Sequence, residues 1–404
     1  MQTQPIVIIG GGFAGLRTAL DLDRLLGHRL DCPIFLIDPS PVHVYTPGLF
    51  DLMHPASPRV SVIPFRDILA GTHIHHIQER VVRIDVERKQ VQTEHRRFSY
   101  ADLVLTPGSD TVPLPQKGAG QSSLSAHNFE HLIRLREQIQ ANFSRDKERH
   151  LHVLIAGGGL SGVELALGLQ SYIESQAARQ GASSRGCHIT LAEESSRILP
   201  MFKPAVSHVV ARWLKQHKIS IVTKTKLTPS GARRLETESE DGPIKTVVWA
   251  HGRQPSLLAA KTKGLRHDAK GRVLVNAHLE ALDEPGVWVG GDSAAVDDSG
   301  WKASAIAHGN HIARAITSKR TGRTVSPYLA HTPTAIIQFS PDYAMLVKGS
   351  RLSAGISIAW LKQWDDLKYY LSILPIPLAF ARWAKRGEQL GGEDSLWKVT
   401  QSPL

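Results

Sequence analysis

The residues best suited to chemistry sit beside two glycine loops. The first loop, Gly10-Gly11-Gly12-Phe13-Ala14-Gly15, follows the apolar run Ile6 to Ile9. A helical pattern begins at Leu16, with Leu20, Leu22 and Leu25 on its apolar face. Strand, glycine turn and helix in that order form a cradle for a pyrophosphate. Gly10 permits the tight turn, Gly12 lets phosphates approach the backbone, and Gly15 lets helix and strand pack closely. The helix N-terminus adds free N–H groups and a partial positive charge. The next apolar run, "PIFLID", ends at Asp38, a carboxylate placed to accept hydrogen bonds from a ribose.

The second loop repeats the device. Gly157, Gly159 and Gly162 follow the run Val153 to Ala156, and the strand-like "HITLAE" ends at Glu193. The interval between loop and acid exceeds the usual ~20 residues. The excess, "SYIESQAARQGASSRGCH", reads as a helix extension and a surface loop. One glycine loop is a weak signal, because any tight strand–helix turn can produce it. Two complete loops, each followed by a strand ending in an acid, point to two bound dinucleotides. Glu193 would repel a 2′-phosphate, which favours NADH over NADPH, and Arg197 nearby softens that preference.

Three further stretches supply the elements that position these loops. "ADLVLTPGSD" and "TVVWAHGRQP" each read as a strand ending in a glycine turn, and "RFSYADLVL" fits a returning strand. "GVWVGGDSAA" reads as a strand ending at Gly291-Asp292 and followed by a helix. The pattern predicts an α/β fold with two Rossmann-like dinucleotide-binding domains on parallel sheets, plus a C-terminal α+β and amphipathic segment. One domain comprises residues 1–115 joined by 268–325, the second 116–267, and the tail 326–404. "LPQKGAG" and "KTKGLRHDAKG" are the expected crossing points.

In order and spacing these stretches resemble the two-dinucleotide-binding-domain flavoproteins of the pyridine nucleotide oxidoreductase superfamily. Within it the likeness is greatest to type II NADH:quinone dehydrogenases. The resemblance runs from residue 5 to about 320. It implies FAD on the first loop, where Phe13 and Ala14 lie between the glycines, and NADH on the second. It also implies hydride transfer from NADH to flavin, then electron transfer to a second acceptor. Gly291-Asp292 matches the motif whose aspartate binds the FAD ribityl chain, and Asp292 could also cap a helix. Val81 matches a position whose backbone holds the adenine. His43, Tyr45 and Pro47, in "HVYTPGLFDL", match a stretch packed beside the flavin. Thr106, Pro107 and Gly108, and likewise His251 and Gly252, occupy the turns after the returning strands. The threonine usual in those turns is Pro107 in one copy and His251 in the other.

The resemblance gives three residues catalytic roles. Glu164, placed in the first turn of its helix, matches a glutamate near nicotinamide and flavin; it could orient the carboxamide, relay a proton, or simply favour the helix dipole. Lys302 and Ala303 open the helix "KASAIAHGNHIARAI", whose N-terminus would stabilise negative charge on reduced flavin. His308 could donate to a quinone carbonyl. Type II enzymes usually carry A-Q-x-x-x-Q-Q-G on this helix, and here Ala303, Ala307 and His308 stand at the glutamine positions. That departure bears on quinone use, not on FAD.

Composition narrows the classes. The 404 residues are 42% apolar and 21% charged, as in an ordinary globular protein. No uncharged apolar window approaches the ~20 residues of a membrane span. The short N-terminal segment ahead of Ile6 leaves no room for a signal peptide, so the expected compartment is the cytoplasm. Only Cys32 and Cys187 are present, far apart, and the His residues lack ligand spacing. A redox dithiol, a disulfide framework and a metal site are therefore not expected. A net charge of +11 suits an acidic partner, a dinucleotide or anionic lipid, and nothing beyond charge suggests nucleic acid.

The tail supplies the remaining expectation. "TAIIQFSPDYAMLVKG" reads as a hairpin turning at Ser340-Pro341-Asp342. Beyond it Trp360, Trp364, Tyr369, Tyr370 and Trp383 alternate with Lys362, Lys368, Arg382, Lys385 and Arg386. Aromatics and cations so mixed suit the headgroup region of a membrane. Pro375 and Pro377 forbid a regular helix through "SILPIPLAFA". The expected protein is an FAD-dependent NADH oxidoreductase that rests peripherally on the cytoplasmic face of the inner membrane and reduces a quinone-type acceptor. Alternatives are a soluble reductase of a small carrier protein, an NADH-reduced flavoprotein switch, and a tail that packs on the flavin domain or covers a homodimer interface.

Overall fold

The computed structural model describes residues 5–27, 32–53, 62–111, 122–145, 151–227, 246–251, 253–332, 334–340, 342–349 and 351–384. Two five-stranded sheets dominate it. The first runs in the order Val287–Val289, Asp102–Leu105, Ile6–Ile9, Ile34–Ile37, Ile74–Ile77, all parallel. The second runs Ser122–Ser125, Thr246–Trp249, Leu151–Ala156, Cys187–Ala192, Ile219–Val222, also all parallel. Each has its glycine-loop strand between the returning strand and the acid strand. The expected α/β fold with two Rossmann-like units is therefore present.

Ile6, Val7, Ile8 and Ile9 are all buried, as are Leu151 to Ala156, because helices cover both faces of such a sheet. Several boundaries differ from expectation. The first loop helix spans Phe13–Leu26 and begins three residues early, because Gly12 serves as its N-cap. "RFSYADLVL" divides: Arg97–Ser99 closes a three-stranded meander, and only Asp102–Leu105 returns to the sheet. Gly291-Asp292 leads into a single 3-10 turn, Gly291–Ser293, and the long helix begins later, at Lys302–Thr321.

The crossings are antiparallel, with Ser109–Thr111 paired to Arg253–Pro255. Ala259 and Leu265 already pack in the first unit's core with Ile84 and Val86, ahead of the expected residue 268. The other expected crossing, "LPQKGAG", lies outside the described residues.

Helices Phe13–Leu26 and Lys302–Thr321 lie close enough that a Cβ on Gly309 would stand 2.4 Å from the Ala14 carbonyl oxygen. Thr18 Oγ1 donates to the Gly309 carbonyl oxygen at 3.2 Å. Gly309→Ala should force these helices apart and cost about 3 kcal/mol, measured by denaturant unfolding. A loss under about 0.5 kcal/mol would show that the contact does not set the packing.

The tail bridges both units. Its hairpin, Thr334–Ser340 with Tyr343–Lys348, gains a third strand at Arg351–Gly355. Ala335, Ile337, Met345 and Val347 join the second unit's core, while Tyr369, Tyr370, Ile373 and Ala379 join the first unit's. The helices are Ile356–Ile373 and Ile376–Ala384, broken at Leu374-Pro375 as the prolines require.

Candidate functional site

In both sheets the loop and its acid emerge at one level. Ile9 lies opposite Ile37 and Leu105, so Gly10, Asp38 and Thr106 leave the first sheet side by side. Ala156 lies opposite Ala192 and Trp249, which sets Gly157 and Glu193 beside Ala250. Asp38 accepts the N–H groups of Gly11 at 2.7 Å and Ser40 at 2.8 Å. Glu193 accepts those of Gly158 at 2.7 Å and Ser195 at 2.8 Å. Each acid, expected to face a ribose, thus also closes its own loop. Burial raises the Asp38 pKa, while those two N–H groups and the charge of Arg80 pull it down. Arg197 donates to the carbonyls of Leu199, Pro200 and Phe202 and to Ser207, so its guanidinium staples the turn beyond Glu193.

The glycines of each loop divide by task. A Cβ on Gly15 would lie 1.9 Å from the Gly10 carbonyl oxygen, and one on Gly162 equally close to that of Gly157. Gly10 and Gly157 turn at φ +94° and +115°, where a side chain is also obstructed by Thr106 or by His251. A Cβ on Gly12 would meet nothing within 4 Å, and on Gly159 only Met201, at 3.6 Å. The outer glycines close the fold and the middle one borders open space. No side chain caps either loop helix. An open cradle lined by helix N–H groups fits a pyrophosphate.

Around the first cradle, Ser109 Oγ donates to Asp292 at 2.7 Å and Ser293 Oγ to the Gly108 carbonyl oxygen at 3.0 Å. Thr106 Oγ1 donates to the Ile9 carbonyl oxygen at 2.9 Å, and Pro107 borders Gly10. Val81 opens the strand Val81–Asp85, and Pro47 lies in the 3-10 turn Thr46–Gly48. Ala303 is the exposed second residue of its helix. His251 flanks the second cradle, burial lowering its pKa against the charge of Glu193. Gly252 lies outside the described residues.

A second cluster forms where the tail helix meets both units. Glu164 is the fifth residue of the helix Leu160–Arg179, one turn deeper than expected and past the reach of a first-turn dipole effect. Burial raises its pKa to about 7, the Lys362 ammonium opposes that rise, and Asp51 adds to it. Lys362 Nζ lies 3.8 Å from Asp51. Tyr45 donates to Asp366 at 2.6 Å and accepts from Lys302 at 3.1 Å, while Lys302 also pairs with Asp365. Tyr45 stacks on Tyr369 with ring centres 5.0 Å apart, and Phe13 meets both rings edge-on.

His43 completes this cluster. Its Nδ1 faces the Gly11 carbonyl oxygen at 2.9 Å and must carry the proton, so Nε2 accepts from Tyr369 at 2.6 Å. Burial lowers its pKa to about 4, so the ring is neutral at physiological pH.

Two expectations are corrected here. Lys362, Tyr369 and Tyr370 point inward rather than to a headgroup layer, and Arg382 is held by Asp67 and the Val62 carbonyl. Lys362, Asp366, Tyr369 and Ile373 recur along one helix face, a spacing that carries the signal for this inward cluster. Lys385 and Arg386 lie outside the described residues. His308 does not reach the cluster. It is fully buried, accepting the Gly291 N–H at Nδ1 (3.1 Å) and facing Asp298 at Nε2 (3.2 Å), so neither nitrogen is available to a quinone.

Two pyrophosphate cradles on parallel sheets, joined by a shared cluster, define a dinucleotide-dependent oxidoreductase fold. Residues 4–322 match the model of the pyridine nucleotide-disulphide oxidoreductases, and the chain belongs to that family. It is 21% identical over 400 residues to a type II NADH:quinone oxidoreductase of Staphylococcus haemolyticus, covering 93% of this chain and 98% of that one. A protein of the same description from Haemophilus influenzae is 26% identical over 333 residues, covering 74% and 75%. The fold superposes on NDH2 from Plasmodium falciparum, solved in complex with NADH, with a TM-score of 0.75 at 13% identity, covering 95% and 98%.

Proposed function

We propose that this protein is an FAD-dependent NADH oxidoreductase that delivers electrons to a quinone-type acceptor at a membrane surface. The observation that carries the reading is the pair of matched cradles, with Glu164 on the second loop's helix coupled to Lys362 of the tail. Gly10, Gly12, Gly15, Asp38 and Asp292 would hold FAD, and Gly157, Gly159, Gly162 and Glu193 would hold NADH. FAD, when bound, supplies the hydride-accepting and electron-donating chemistry.

The chain's own residues do the rest. Glu164, poised near neutral pH, holds or releases a proton as the acceptor is reduced. Lys302 provides positive charge beside Tyr45. The domain division we propose follows the two sheets, with the tail as a third part.

Disulfide chemistry is disfavoured on geometry. Cys187 begins its strand and Cys32 precedes the strand Ile34–Ile37, so both lie at the strand ends opposite the cradles. Ligands in such sheets bind at the carboxyl ends.

Membrane contact is supported by the outer face of the tail. Ile356, Trp360 and Trp364 recur every four residues and are 59, 55 and 56% exposed, and Ile376 and Phe380 on the following helix are exposed as well. Among the described residues no helix is long and apolar enough to cross a membrane. NADH oxidation by the holoprotein with a soluble quinone analogue, with and without anionic vesicles, tests the reading. Trp360→Ser with Trp364→Ser should lower vesicle binding about tenfold or more and leave turnover with the soluble analogue unchanged. Turnover with an acidic carrier protein and none with quinones would overturn it.

A further inference from the structure

Helix Lys302–Thr321 carries a histidine on which the proposed function makes no demand. We propose that His308, fixed by Asp298, is the positioning residue that sets the Gly291–Asp292 turn for FAD; the inference rests on the FAD reading above.

The turn is unusual in its supports. Gly291 sits at φ +65°, a left-handed backbone, with Ala14 of the first loop helix facing the place of its absent Cβ at 3.6 Å. Gly290 leaves the sheet through an N–H bond to the Leu105 carbonyl oxygen at 3.2 Å. One side of the turn is secured by Ser109 and Gly108, through Asp292 and Ser293. His308 secures the other side by accepting the Gly291 N–H. Without it that buried donor would be unsatisfied, and the turn would lose the restraint that aims the Asp292 carboxylate.

Tautomer and charge decide whether this support exists. An Nδ1 that accepts requires the proton on Nε2, which then donates to Asp298. Asp298 is itself fixed, accepting from Tyr328 at 2.7 Å and from the His331 N–H at 3.0 Å. The charged and titratable groups around the ring are Asp298 and Asp292 from the preceding segments, His311 from its own helix, and Tyr328 and His331 from the segment that follows. Burial lowers the His308 pKa, while Asp298 and Asp292 oppose that effect. The ring is therefore neutral at pH 7 and accepts from Gly291. Protonation at lower pH would place a second N–H against the first and release the turn.

The experiment is FAD affinity, read by flavin fluorescence between pH 5 and 8, for the wild type, His308→Asn and His308→Gln. An asparagine oxygen can stand near Nδ1 and accept from Gly291, whereas the glutamine amide reaches toward the Nε2 position instead. His308→Asn should bind FAD within about threefold of wild type, and His308→Gln about tenfold or more weaker. The acid-side loss of affinity in the wild type should flatten in His308→Asn. Should His308→Gln fail to fold, the comparison of wild type with His308→Asn still decides. Equal affinity of both variants, or a wild-type pH profile in His308→Asn, would overturn the proposal. A wild type that binds no FAD at any pH would instead overturn the cofactor reading beneath it.

Discussion

Gly12→Val is expected to give a folded, colourless protein. A Cβ at Gly12 would meet nothing within 4 Å and borders open space, so the apoprotein should keep its stability to within about 1 kcal/mol. The same side chain would occupy the space proposed for the pyrophosphate, and overpacking of about 3 kcal/mol corresponds to at least a hundredfold weaker FAD. Gly15→Val should fail in the opposite way, because its Cβ would stand 1.9 Å from the Gly10 carbonyl oxygen and prevent the helix from docking. Purification of both variants with flavin absorbance and thermal unfolding separates the outcomes. A Gly12→Val protein that purifies fully yellow would remove FAD from the first cradle.

Glu164→Gln should lower turnover with a quinone analogue about a hundredfold while reduction of the bound flavin by NADH changes little. The amide preserves shape and hydrogen bonding to the tail but cannot carry a proton. The same substitution has a signature in stability. The folded pKa of about 7 lies above the ordinary 4.5, so the folded state favours the neutral carboxyl. That contribution is complete below the ordinary value and is lost as pH rises through about 7. Glu164→Gln should therefore match wild type near pH 4 and exceed it near pH 8, by at most about 3 kcal/mol. Equal unfolding midpoints across this range would mean that Glu164 is solvated rather than enclosed by the tail. Unchanged quinone turnover would remove it from proton transfer.

Much of this site was legible because its signals are local. A glycine turn between an apolar strand and a helix spans about ten residues, and the steric reasons for Gly10, Gly12 and Gly15 are written in that interval. The acids at the strand ends followed from the same period. Helix starts were less legible, since Gly12 as an N-cap left no polar side chain to mark the boundary at Phe13. The strand Arg197 sits beyond gave no sign that the guanidinium would be consumed by three carbonyls of its own turn.

The tail shows the limit most clearly. Its aromatic and cationic composition suggested one wet apolar surface, but the helix sorts these residues by angle. Trp360 and Trp364 fall outside, whereas Lys362, Asp366 and Tyr369 fall inside, where they meet Asp51, Tyr45 and His43 from more than 300 residues earlier. The expectation for His308 fails for the same reason. Its place on the helix was known, but its partners, Gly291 and Asp298, are brought to it by the loops that precede the helix.

Sequence by itself determined the two cradles, their strands and their acids, because strand–turn–helix geometry is set by short-range sterics and hydrophobic period. Tertiary structure alone decided which polar side chains share a cavity, because that depends on long-range packing of the tail across both units. It thereby gave Glu164 its raised pKa, and it buried His308, expected as a donor to a quinone carbonyl, between Gly291 and Asp298.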